Sequence, residues 1–115
     1  MTAARLPLTI EQGATWKHAL IVRDGAQPRD LTGYTARMQI RKLVTSTEVL
    51  AELTVANNGI TIVAAQGRID LLLSATTTAG LPSGPSVYDL ELESAAGEVT
   101  RLLQGTVTVD AQVTR

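Results

Sequence analysis

The chain has 115 residues, with ten basic and eleven acidic side chains, a formal net charge of −1 and no cysteine. A single domain of this size can bury a core without a metal or a crosslink, and the lack of cysteine excludes disulfides, thiolate zinc sites and cysteine nucleophiles. The basic residues are dispersed, with only Arg41 and Lys42 adjacent, so no long-range field favours nucleic acid or an anionic membrane and neither is expected as a partner. Trp16, Tyr34 and Tyr88 are the aromatic residues, so the core must be aliphatic.

The N-terminal stretch Met1 to Ile10 holds Arg5 and Pro7 and has no continuous apolar run; it reads as neither a signal peptide nor a membrane span. Leu8 to Glu11 and Ala14 to Arg23 read as strands, and Asp24-Gly25 closes the second. Tyr34, Ala36, Met38 and Ile40 alternate with polar residues, the pattern of a strand with one wet face. Val49, Ala51, Leu53 and Val55 repeat it, as do Ile60 and Ile62, then Ile69, Leu71 and Leu73. Asn57-Asn58-Gly59 and Gln66-Gly67 stand between these runs, where turns call for positive φ. Asn58-Gly59 and Ala96-Gly97 read as hairpin connections.

The segment Ser74 to Leu81 departs from the period of two. Ser74 can cap a short helix, Gly80 can end it in the left-handed conformation and Pro82 stops it. Tyr88, Leu90 and Leu92 then alternate with Asp89, Glu91 and Glu93, and a last strand runs from Val99 to Val109. The expectation is an all-β fold, an antiparallel β-sandwich of the immunoglobulin-like or jelly-roll-like kind, with about seven or eight strands and one short helix. It forms one domain over 1–115, with extended arms expected at 1–7 and 111–115.

No pattern of residues nominates a catalytic site, and no enzyme activity is expected. His18, the only histidine, has no nucleophile or carboxylate assigned to it by spacing and reads as an ordinary strand residue. Asp89, Glu91 and Glu93 share one strand face, where carboxylates can bind calcium or act in pairs; the spacing equals the strand period, and a solvated outer face accounts for it. No glycine-rich phosphate motif is present, and no cofactor or metal is expected. Trp16 is read in two ways, as a core residue and as a possible interface anchor.

Two stretches carry a resemblance. One is Ile10-Glu11-Gln12-Gly13-Ala14-Thr15-Trp16 followed by Asp30-Leu31-Thr32-Gly33-Tyr34 and the strand to Arg41. The other is Tyr88-Asp89-Leu90-Glu91-Leu92 followed by Gly97 and by Gly105-Thr106-Val107-Thr108-Val109. Their order resembles small structural proteins of tailed phages and prophages, and is similar to the N-terminal domain of phage upper baseplate proteins, which tie receptor-binding parts to the tail.

The resemblance implies a virion structural protein, a tail, baseplate or fibre-attachment adaptor acting through contacts with other virion proteins, and a homo-oligomer in the particle. The alternatives are a capsid decoration protein and a carbohydrate- or receptor-binding sandwich. It implies location in the virion, after synthesis in the bacterial cytoplasm. The chain ends at Arg115 without the stalk and receptor-binding part of upper baseplate proteins, which favours the adaptor or decoration role. Independently of the resemblance, Asp30 can accept from backbone amides, Gly33 permits a sharp bend and Tyr34 begins a strand, so these three read as residues that define a turn.

Overall fold

In the computed structural model, residues 3–115 are described; Met1 and Thr2, part of the expected N-terminal arm, lie outside them. The fold is mostly β, with one short helix, several sheets and no barrel. The strands in chain order are β1 (Ala4–Arg5), β2 (Leu8–Glu11), β3 (Trp16–Ile21), β4 (Arg23–Asp24), β5 (Gln27–Pro28), β6 (Thr35–Arg41), β7 (Ala51–Thr54), β8 (Ile60–Val63), β9 (Arg68–Leu73), β10 (Gly84–Glu93) and β11 (Val99–Asp110). The helix α1 (Ala75–Ala79) lies between β9 and β10. Three of the strands are only two residues long, and they carry too little pattern to be read from sequence.

The large sheet has the order β1-β11-β10-β6-β7, with β2 also on β11. Its register lines up Leu53, Met38, Leu90 and Leu103 in one row across four strands. All four are buried, because alternate residues of each strand point to the same face. The small sheet, β3-β9-β8, contributes Trp16, Ile60, Ile69, Leu71 and Leu73 to the same core cluster. The core is thus aliphatic, as the composition requires, and is shared by the two sheets.

Several expectations need correction. The sheet is not wholly antiparallel: β1 and β2 both pair parallel with β11 and keep one register across the break at Leu6-Pro7. Pro7 has no N–H to give the ladder, which explains the break. The segment expected as an N-terminal arm is therefore tied to its own chain from Ala4 onward, with Leu6 N–H also donating to the Gln104 carbonyl. The C-terminal segment lies against its own chain too, where Gln112 N–H donates to Gln12 Oε1 at 3.0 Å.

Asn57-Asn58-Gly59 is not a hairpin; it carries the chain from the large sheet (β7) to the small one (β8). Asn58 takes the left-handed conformation there (φ 65°). Gly59 does not, but a Cβ on it would come within 2.9 Å of Leu53 Cα. Ala96-Gly97 does join the β10–β11 hairpin, with Gly97 at φ 87°. The capping of α1 follows the expected chemistry, with Ser74 Oγ accepting from Thr77 N–H. Gly80, however, is right-handed at φ −85°, and the helix ends before Pro82 without a left-handed cap.

The motif around Gln12-Gly13 acquires a structural meaning. Gln12 Nε2 donates to the Leu81 carbonyl at 2.8 Å while its Oε1 receives Gln112 N–H. Gly13 N–H donates to Thr78 Oγ1, and that hydroxyl donates to the Ala14 carbonyl. Thr78 is fully buried. The β2–β3 turn, the helix and the C-terminal segment are thereby joined through polar groups whose bonds are all internal.

Candidate interaction surface

The outer face of the large sheet carries a groove. The inward row on β10 is Ser86, Tyr88, Leu90 and Leu92, so Val87, Asp89, Glu91 and Glu93 must face outward. Beside them stand Arg37, Gln39 and Arg41 of β6 and Arg101, Gln104 and Thr106 of β11. With Arg5, Leu6, Pro7 and Val44 they border an open groove of about 880 Å³.

The acidic face noted in the sequence points outward, and two of its three carboxylates, Asp89 and Glu91, are paired. Arg37 Nε meets Glu91 Oε1 at 2.9 Å, and Arg101 Nε meets Asp89 Oδ2 at 3.5 Å. The hydrogen bond that Arg37 donates to the Glu91 carboxylate pushes the guanidinium further toward its protonated form. Gln39 donates to Glu52, and Arg41 bonds both Gln39 Oε1 and the Ser46 carbonyl. Exposed pairs of this kind stabilise the monomer little; their effect is to hold the side chains in a defined array. Four arginines and two carboxylates line the groove, so it is locally positive on a chain of net charge −1.

The sequence shows only the acidic strand of this surface. Arg37 and Arg101 lie far from Asp89 and Glu91 in the chain and meet them only through strand pairing. The groove ends near the loop after β6, where Leu43 and Val44 are 60% and 85% exposed. Ser46 pins that loop, accepting from Leu43 N–H through Oγ and donating its own N–H to the Leu43 carbonyl. Arg41 and Lys42 add bonds to the Ser46 and Pro85 carbonyls.

Tyr88 forms the back of this region. Its hydroxyl donates to the Leu6 carbonyl at 2.7 Å, and its partner across the strands is Gly105. A Cβ on Gly105 would stand 2.6 Å from that same Leu6 oxygen, so glycine there lets the N-terminal strand lie close and lets the phenol reach it. Burial pushes the Tyr88 phenol up to about 12. Its ionisation should therefore be missing from an absorbance titration at pH 10 to 11. The raised value means that the neutral phenol adds stability in full below its ordinary value near 10, and that this contribution is lost as pH rises through about 12. Tyr88→Phe should abolish this alkaline dependence and cost about 1 kcal/mol at neutral pH by leaving the Leu6 carbonyl without its donor. An unchanged alkaline unfolding curve in the variant would refute the assignment.

The Asp30–Tyr34 segment is a tight turn. Asp30 Oδ1 accepts from both Thr32 N–H (3.0 Å) and Thr32 Oγ1 (2.6 Å). Those bonds, the side-chain one first, hold its carboxyl below the usual range. Tyr34 N–H closes the turn on the Leu31 carbonyl, with Gly33 at φ 81°; glycine is the residue a type II turn asks for at its third position. The strand then starts at Thr35 instead of Tyr34. Leu31 is buried at 1% exposure, so the turn anchors in the core. Gly33 and Tyr34 border a shallow depression with Val55 and Ile62.

Trp16 is 9% exposed and belongs to the core cluster. Of the two readings of Trp16, the structure places it on the inward face of β3, in the chain's own interior. It stacks with His18, the ring centroids 6.2 Å apart and the planes 9° from parallel. His18 thus stands beside an indole on a strand. Among the described residues, no group of three or more His, Asp or Glu side chains is placed to hold a metal ion. No helix among them is long and apolar enough to cross a membrane.

Neither a protein-family model nor a curated protein matches the chain by sequence. Among solved structures, the fold is similar to the N-terminal domain of phage TP901-1 ORF48, with a TM-score of 0.53 and 12% identity over 96% of this chain and 99% of that one. A second structure, CopC from Methylosinus trichosporium OB3b, gives a TM-score of 0.49 and 13% identity over 94% of this chain and 89% of that one.

Proposed function

We propose that the chain is a bacteriophage virion structural protein without catalytic chemistry of its own. In this reading it is a tail, baseplate or fibre-attachment adaptor, folded as a β-sandwich, that acts through contacts with other virion proteins and as a homo-oligomer in the particle. It is made in the host bacterial cytoplasm and leaves in the virion. The observation that carries the reading is the similarity of fold, over nearly the full length of both chains, to the N-terminal domain of a phage protein. The motifs that resemble phage structural proteins support it, and they occupy positions that shape the fold: the Gln12-Gly13 junction, the turn at Asp30–Tyr34 and the strand after Gly105.

The surface chemistry supports an adaptor over a sugar-binding module. Trp16 and Tyr88 are buried and Tyr34 is half-buried, so no aromatic platform is offered to a sugar ring. The groove instead presents arginines, glutamines and an adjacent apolar loop, a mixture found in protein contacts. Mass spectrometry of particles purified from the producing strain tests the proposal, with the chain expected as a stoichiometric component. Its absence from particles that are otherwise complete would reject it.

A further inference from the structure

The edges of the two sheets are not alike. The large sheet ends on one side in β7, which is four residues long. There Asn57 covers the edge: its Oδ1 accepts from Thr54 N–H and its Nδ2 donates to the Glu52 carbonyl. The other side is closed by β1 and β2, short and broken at Pro7. In the small sheet β3 is an edge strand of six residues with no proline and no bulge, paired only with β9. Val22 N–H donates to the Gly67 carbonyl. In an antiparallel ladder the direction of these groups alternates, so the even-numbered residues of β3 bond β9. Lys17, Ala19 and Ile21 direct their N–H and C=O groups away from the sheet. No backbone or side-chain partner meets those groups among the described residues, and all three residues are exposed, Ile21 at 45%. Lys17 is the one charged residue of the strand, and an edge with free N–H and C=O groups is a template for pairing with another strand.

We propose that β3 is a self-association edge on which a second copy of this chain pairs antiparallel about a two-fold axis at Ala19. The register follows from the outward groups. With Ala19 facing its own symmetry mate, Lys17 faces Ile21 of the second copy and Ile21 faces Lys17. Every outward N–H and C=O of the three residues then finds a partner, and side chains that face solvent in each copy stay on one common face. Moving the register by one residue sets outward groups against groups already bonded to β9, and moving it by two leaves part of the set unpaired. The set of outward groups is self-complementary about Ala19, so a second copy satisfies all of them at once with no other partner required. The small side chain at the axis leaves room for the approach, and the aliphatic stem of Lys17 lies along the exposed Ile21 of its partner. The two small sheets become one continuous sheet, β8-β9-β3-β3-β9-β8. This pairing stands whether or not the chain belongs in a particle.

The test uses the full chain. Sedimentation over a concentration series should show a monomer–dimer equilibrium. Ala19→Pro removes an N–H that no group in the monomer uses, a change edge strands accept. It should shift the dimer midpoint to a concentration at least about tenfold higher while leaving the melting temperature of dilute protein unchanged. Ala19→Lys, which sets two ammonium groups together at the axis but places each beside its own Asp70, should act alike and covers the case in which the proline variant fails to fold. The chain has no other cysteine, so Ala19→Cys should crosslink under mild oxidation: residues paired this way have Cα atoms about 5.5 Å apart, within disulfide reach. Thr61→Cys, on the same outer face but away from the axis, should not. A wild-type chain that stays monomeric, with Ala19→Cys crosslinking no faster than Thr61→Cys, overturns the proposal. A dimer that survives both Ala19→Pro and Ala19→Lys overturns it equally.

Discussion

Gly67→Val should be among the most damaging single substitutions in the chain, costing about 3–4 kcal/mol in urea unfolding with little change in the denaturant slope. Two causes act together. Gly67 sits at φ 61°, where a β-branched side chain is strained by about 1–2 kcal/mol. A Cβ there would also stand 2.7 Å from both the Val22 and the Arg29 carbonyl oxygens. These oxygens cannot simply retreat, because Val22 accepts from Arg29 N–H and donates its own N–H to the Gly67 carbonyl, both at 2.8 Å. Relief requires separating the end of β3 from β9 and from the segment after β5. Gly97→Val is the matched control. It shares a positive φ of 87° but meets nothing within 4 Å, so it should cost only the backbone strain of about 1–2 kcal/mol. Equal losses at the two positions would mean that the junction yields and that backbone conformation alone sets the cost.

Leu90→Ala should cost about 2–5 kcal/mol, the range for a large-to-small change in a packed core. Leu90 is fully buried on β10, in the row that runs from Leu53 through Met38 to Leu103. Its strand is paired on both sides, and backbone hydrogen bonds to β6 and β11 resist the collapse that would fill the cavity. For a domain of this size the loss should lower the melting temperature by about 10–20 °C. Val99→Ala, at a site 48% exposed near the start of β11, should stay within about 0.5 kcal/mol of wild type. A Leu90→Ala loss below about 1 kcal/mol would show that the two sheets are not packed into one core.

The outer face of the large sheet was half legible in the sequence. The period of two placed Asp89, Glu91 and Glu93 on a wet face because alternation is a property of the strand itself. Their arginine partners were not legible, since Arg37 pairs with Glu91 only when β6 lies against β10, and nothing local announces that pairing. Glycine shows the same division. The positive φ of Gly25, Gly67 and Gly97 was expected from turn composition. That Gly59, Gly67 and Gly105 also admit a neighbouring segment depends on contacts made across the fold. Asn58-Gly59 misled for this reason: its composition suits a hairpin, but the strands on either side belong to different sheets.

Side-chain pattern and turn chemistry are local properties, so the sequence by itself determined that the chain is mostly β, that its core is aliphatic, where most long strands lie and that Ser74 caps the one helix. Only the tertiary structure decided that the N-terminal strand runs parallel along β11, that Gln12 and Thr78 join three distant segments, that Trp16 belongs to the interior and that the edge of β3 is left open. All but the burial of Trp16, which rests on how the two sheets pack, depend on which hydrogen-bonding groups remain unpaired once the sheets have formed. Alternation assigns a side chain to one face or the other, but it leaves open which strand will satisfy the backbone beside it.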